Sequence, residues 1–263
     1  MIARHVHDDP REQDGGGPHA MLEAERVRNY GYLAAIVVTI AIASFLAFGE
    51  SHAGKPAFFA LMGAPTVAIA IVAALRAKRD GILFYKDREG VLKGWMAVRA
   101  GDFTRGFVAC GALFAAAWAF THVVIPQHSP REAWLARLYL QIGDPSDLRK
   151  QVVPVVAAII VAAIAEEIVW RGLVTSLLEE VVGSSRAWVL SAVLYAVAHL
   201  PTAWVMRDPV AGPNPLIPLA ALFAGLLWGG MARRFERLLP GIFSHILFDW
   251  TVVMMFRLWG ASV

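Results

Sequence analysis

Cysteine is nearly missing from this chain: Cys110 is the single one. No intrachain disulfide is therefore possible, and its apolar surroundings mark Cys110 as a small buried packing residue. Charge is scarce as well. Asp, Glu, Lys and Arg make up 17% of the residues, where a soluble domain carries about 25%. The small basic excess, 24 Lys and Arg against 21 Asp and Glu, comes with no basic patch interleaved with aromatics, which excludes a nucleic-acid partner. Basic loops gathered on one side of a membrane account for it. No internal repeat is visible, so a carrier built from inverted repeats gets no support. The start of the chain does not read as a cleavable signal peptide, because the polar stretch before the first apolar block is long and that block is of full spanning length.

What the chain has is apolar residues, 57% of the total, in blocks too long for core strands or ordinary core helices. A bilayer core needs about 20 apolar residues per helix, and lipid leaves the backbone no partner but itself, so each block is helical. The expectation is an all-α polytopic membrane protein with about seven transmembrane helices and a buried Glu/His site. Residues 1–29 form a flexible polar tail that includes Gly15-Gly16-Gly17-Pro18, and residues 30–263 form a single transmembrane domain. The spans run from about Tyr30 to Phe48, Ala57 to Leu75, Phe107 to Ile125, Val152 to Val182, Ala187 to Trp204, Leu216 to Ala232 and Leu239 to Trp259. Residues 131–142, with Trp134, Leu135, Leu138 and Tyr139 between charges, read as a helix in the membrane interface. The side holding the tail and the 76–105 loop has about twice the Lys and Arg of the other, so the N terminus is expected in the cytoplasm.

Ionisable residues inside spans carry the functional signal. One charge at mid-bilayer costs about 2.5–3.5 kcal/mol on insertion scales, so such residues should be few, paired and turned inward. Span four holds Glu166 and Glu167 well inside its length, followed by Arg171. Glu167 and Arg171 are four apart and share a face, whereas Glu166 lies about 100° around the helix. We therefore assign Glu167 to Arg171 as a structural pair and leave Glu166 free to act as a base. Tyr195 and His199 share a face of span five, and His245 and Asp249 a face of span seven. Taken singly, each histidine also reads as a hydrogen-bonded packing residue, and Glu167 with Arg171 as plain scaffold. Their joint occurrence in three spans points to a site.

EExxxR on one membrane helix, an aromatic-xxx-His on the next and HxxxN or HxxxD on a later one resemble the signature of the CAAX-protease and bacteriocin-processing (CAAX prenyl endopeptidase-like) membrane proteins. The resemblance covers about residues 150–255 and rests on Glu166-Glu167…Arg171, Tyr195…His199 and His245…Asp249. It implies an intramembrane endopeptidase in which Glu166 and His199 activate a water while His245 and Asp249 stabilise the oxyanion. Glu167, Arg171 and Tyr195 would be supporting, with no metal and no cofactor. Two positions depart from the pattern: Tyr195 replaces the usual Phe, and Asp249 the usual Asn. An ionised Asp cannot donate, so Asp249 is expected to hold His245, which then donates. The implied partners are the lipid bilayer and a membrane-associated protein or peptide substrate, with C-terminal sorting anchors (a myxosortase-like role) or peptide leaders as candidates. Composition suggests a bacterial cytoplasmic membrane. A polar cavity open to one side is expected, flanked by the Pro/Gly-rich 208–215 loop. Two alternatives stand beside this reading: a zinc protease using Glu166, His199, His245 and Asp249, and a non-proteolytic scaffold, chaperone or proton-coupled carrier.

Overall fold

Without water to bond to, each apolar block closes its hydrogen bonds within itself, and six described helices are long and apolar enough to cross a membrane. The computed structural model describes residues 18–255. Its long helices are α1 (Pro18–Ala47), α2 (Pro56–Arg79), α3 (Asp102–Val124), the continuous Val152–Val182 rod, α8 (Ser184–Val205) and α9 (Leu216–Phe235). A shorter apolar helix, Leu239–Met254, completes the expected seven; its first part is α10 (Leu239–Trp250). The amphipathic segment is α4 (Glu132–Ile142), which buries Trp134 and Leu135. A short α5 (Pro145–Lys150) follows, where Asp144 caps the helix by accepting from Ser146 N at 2.6 Å.

Three boundaries differ from the sequence reading. The expected tail is helical from Pro18 onward; Asn29 is buried and donates to Glu180 Oε2 at 2.6 Å, which ties the start of α1 to the far end of the fourth span. Tail residues 1–17 and the end of the seventh span lie outside the described residues. The third span begins at Asp102 rather than Phe107, because Asp102 is not solvated: Arg237 Nη2 donates to it at 2.6 Å. The fourth span is not uniform. It winds as α6 (Val152–Glu167), widens into a π-type turn over Ile168–Val174, and tightens again as α7 (Thr175–Val182).

Helices α8 and α9 pack together, α1 leans on α8 and α2, α2 on α6, and α10 lies between α3 and α6. Close approach is built from small residues, as is usual where lipid gives helices no hydrophobic reason to associate. A Cβ on Gly106 would stand 2.7 Å from Phe243 Cβ and 3.0 Å from Pro240 O, so α3 and α10 meet there backbone to side chain. The loop between α2 and α3 carries a hairpin pairing Tyr85 with Lys93 and Lys86 with Leu92. Asp87 sits at its turn, accepting from Val91 N at 2.9 Å. Lys93 beside it is the main reason its carboxyl lies below the usual range. Beyond the hairpin the loop passes under the bundle, where Trp95 O accepts from Leu238 N at 2.8 Å.

Candidate active site

The site is assembled from the wide turn outward. A π-type turn shifts the hydrogen-bond register, and such turns are frequent at functional positions. Here the carbonyl of Trp170 accepts from the backbone N–H of Thr175, from Thr175 Oγ1 at 2.8 Å and from Ser191 Oγ at 2.7 Å. The last of these comes from α8 and pins the irregular turn to its neighbour. Gly172 makes room for Trp95, whose ring would lie 2.8 Å from an added Cβ.

Glu167 is the last α-wound residue before this turn, and Arg171 lies within it. Their expected pair is present, with Arg171 Nη1 3.2 Å from Glu167 Oε1 and both side chains almost fully buried. The contact is within ion-pair distance, but neither Arg171 Nη atom makes a hydrogen bond among the described residues. The guanidinium is also held between aromatic faces, 4.8 Å from the Tyr195 ring centre and 5.2 Å from that of Trp228. Such cation–π contacts strengthen on desolvation.

Glu167 has a second partner that sequence spacing does not reveal. Its Oε1 lies 3.0 Å from His245 Nδ1. The other ring nitrogen, Nε2, faces Asp249 Oδ2 at 3.3 Å and Glu166 Oε2 at 3.9 Å. The imidazole is thus flanked by carboxylates at both nitrogens and stacked on Trp228, centroids 3.9 Å apart and planes 21° from parallel. Trp228 is itself fixed, donating from Nε1 to Ser244 Oγ at 2.9 Å. It belongs to α9, a span to which sequence reasoning gave no site residue.

Glu166 points elsewhere. Its Oε2 accepts from the Tyr195 hydroxyl at 2.5 Å, so the extra oxygen of Tyr195 has the buried partner it requires. His199 donates from Nδ1 to Tyr195 O at 2.8 Å. Because a carbonyl only accepts, this bond fixes a proton on Nδ1 and turns Nε2 away from the Tyr195 backbone. Tyr195 and His199 also meet edge to face, 4.8 Å apart. Among the described residues His199 makes no hydrogen bond or ion pair with Glu166; the two are joined through Tyr195.

All seven expected residues therefore lie in one connected group. Glu166, Glu167, Arg171, Tyr195, His245 and Asp249 touch directly, with His199 attached through Tyr195. Exposure divides the carboxylates: the Glu167 side chain is 1% exposed, Glu166 17% and Asp249 34%. Glu166 and Asp249 are thus the carboxylates of the cluster that reach the surface of the bundle. The 208–215 loop, expected to flank the site, is tied to α4 instead: Asn214 Nδ2 donates to Trp134 O at 2.9 Å and Asp208 faces Arg137 Nε at 3.4 Å, while its other described side-chain bonds stay within the loop or go to Leu216 N at the start of α9. The zinc alternative needs ligands converging on one point, and among the described residues no group of three or more His, Cys, Asp or Glu is so arranged.

Residues 148–251 match the family model described as Type II CAAX prenyl endopeptidase Rce1-like, a range that contains every residue of the cluster and Trp228. No curated protein and no solved structure matches the chain.

Proposed function

We propose that this integral membrane protein, whose residues 148–251 match the Rce1-like type II CAAX prenyl endopeptidase family model, hydrolyses a peptide bond of a membrane-associated protein or peptide at the Glu166 cluster. The match over residues 148–251 supports a membrane protease; the residue roles and the substrate are our reading. The observation that carries it is the division of labour between the two adjacent glutamates. Glu167 is sealed and engaged by Arg171 and His245, while Glu166 is partly exposed, has one bond to Tyr195 and keeps its second oxygen available.

In this reading Glu166 takes a proton from a water that also donates toward His199 Nε2. The water oxygen bonds to the substrate carbonyl carbon, and the carbonyl becomes an oxyanion. His245 donates to that oxyanion from Nε2, its ring held by Glu167 at Nδ1 and by Trp228 on its face. A ring with acceptors at both nitrogens is satisfied only when doubly protonated; that form is the better donor to developing negative charge in a site shielded from water. Collapse of the intermediate breaks the C–N bond, and Glu166 returns its proton to the leaving amine. Asp249 keeps the Nε2 proton in place until substrate arrives.

The substrate class follows from where the cluster lies: the scissile bond must reach a site within the spans, so the substrate is anchored in or lies on the bilayer. Processing of C-terminal sorting anchors or of peptide leaders fits that requirement. Under the positive-inside rule, the end of the bundle with the α2–α3 loop, Arg186 and Arg233-Arg234 faces the cytoplasm of a bacterial cell. The test is a comparison of membrane proteins in cells carrying wild-type chain or Glu166→Ala. Accumulation of a longer, uncleaved membrane protein in the variant alone is the expected result. Full biological function with an unchanged set of membrane proteins would instead support the scaffold or carrier alternative.

A further inference from the structure

Away from the Glu/His cluster, where α3 begins and α9 ends, the described surface holds a cavity of about 450 Å³ lined by Arg99, Arg105, Arg234, Arg237, Phe235 and Glu236. Its lining is unusual in charge. Four guanidiniums face one lining carboxylate, Glu236, with Asp102 buried behind them. Two of the four are committed to structure. Arg237 donates to Asp102 through Nη2 at 2.6 Å and Nε at 3.3 Å; Arg105 lies 3.2 Å from the same carboxylate and 4.8 Å from the Phe235 ring centre. The side chains of Arg99 and Arg234 are exposed and make no hydrogen bond or ion pair among the described residues. The pocket thus has a rigid cationic floor and two unspent guanidiniums at its rim.

Its position narrows the ligand. The pocket sits at the helix ends, on the side of the bundle where Lys and Arg collect. Below it the surface turns apolar and exposed at once: Val108, three residues and so one turn along α3 from Arg105, is 64% exposed, and Phe223 on α9 is 52% exposed. We propose that this pocket binds the phosphate of an anionic phospholipid headgroup. Arg99 and Arg234 contact the phosphate, and the acyl chains run down the α3–α9 surface. Guanidinium is the side chain best shaped for phosphate oxygens, and basic pockets between membrane helices on the cytoplasmic side suit such headgroups. A bound lipid would bridge α3 and α9, which pack together where Ala109 and Leu113 of α3 meet Ala224 and Trp228 of α9.

The experiment uses the full chain in nanodiscs of phosphatidylcholine with 0–30% phosphatidylglycerol, reading lipid binding by native mass spectrometry and titration. The variants are Arg99→Gln/Arg234→Gln and, as a charge-matched control at the same membrane face, Lys78→Gln/Arg79→Gln. Each basic side chain near an anionic headgroup is worth about fivefold, so the pocket variant should bind phosphatidylglycerol about 25-fold more weakly. The control should lose less than about threefold, because Lys78 and Arg79 line no cavity with the pocket arginines and Arg79 already faces Asp80 at 3.2 Å. Equal losses in the two variants would overturn the proposal. So would inorganic phosphate displacing the lipid at equal concentration, which would mark a free-phosphate site. Retained helicity of the pocket variant, measured by circular dichroism, separates lost binding from lost fold.

Discussion

Arg171→Met tests the site's architecture at its most buried point. Arg171 is 2% exposed and stands 3.2 Å from Glu167, which is 1% exposed. Replacing it by an unbranched apolar chain of similar length removes the guanidinium beside Glu167 and, among the described residues, leaves Glu167 with His245 alone. Breaking one side of a buried ion pair costs about 3–5 kcal/mol, because the remaining charge keeps its desolvation penalty. For a chain of this size that is a fall of about 10 °C in unfolding temperature. The companion Glu167→Gln strands the guanidinium instead, but the aromatic faces of Tyr195 and Trp228 still hold it and Gln can still accept from His245 Nδ1. Its loss should be about half as large. The double variant Glu167→Gln/Arg171→Met has no stranded charge, so it should be more stable than Arg171→Met alone, with a coupling of about 1–3 kcal/mol between the positions. The assay is thermal unfolding of all four proteins in one detergent. Strictly additive losses would refute the reasoning, since they would mean that the two side chains do not share a buried charge balance.

Three further outcomes follow from the geometry. Tyr195→Phe removes the 2.5 Å bond to Glu166 but keeps the ring beneath Arg171; a hydrogen bond to a charged group is worth about 1.5–3 kcal/mol, so turnover should fall by about ten- to a hundredfold and the unfolding temperature by about 5 °C. Asp249→Asn retains a carbonyl oxygen that accepts from His245 Nε2 and should keep activity within about tenfold, one hydrogen bond's worth. Asp249→Ala should fall well below it, and equal losses in the two would count against an orienting role. Gly106→Ala forces a methyl group to within 2.7 Å of Phe243 Cβ and 3.0 Å of backbone; overpacking of that kind costs about 1–3 kcal/mol, read as a lower unfolding temperature with unchanged site chemistry.

Much of this was legible in the sequence, and the limits have physical causes. Composition and block length gave the all-α membrane fold because lipid allows a spanning chain few other choices. Four-residue spacing gave the Glu167–Arg171 and His245–Asp249 contacts, since both are local to one helix. Spacing says nothing about which helix faces which. The contact of Glu167 with His245, 78 residues away, was therefore hidden, and Glu167 was credited with one partner when it has two. Trp228 escaped for the same reason: among apolar residues a buried Trp looks like packing, and only the neighbouring helix turns it into a platform for an imidazole. The wide turn after Glu167 had a single local hint, Gly172, whose need for space shows only once Trp95 is seen against it. Asp102 and the start of α1 were misread because charge was taken as a sign of solvent; Asp102 is instead fully buried against Arg237, and Asn29 against Glu180.

The account depends most on Glu166 acting on water. Once the accumulating membrane protein is identified, its cleavage by purified wild-type chain and by Glu166→Gln in liposomes is the direct measurement. Glu166→Gln keeps an oxygen that accepts from the Tyr195 hydroxyl, so the variant should fold and bind substrate while turnover falls about 10²–10⁴-fold, the usual worth of a general base. Cleavage within a few-fold of wild type would contradict the account and move the chemistry away from this cluster.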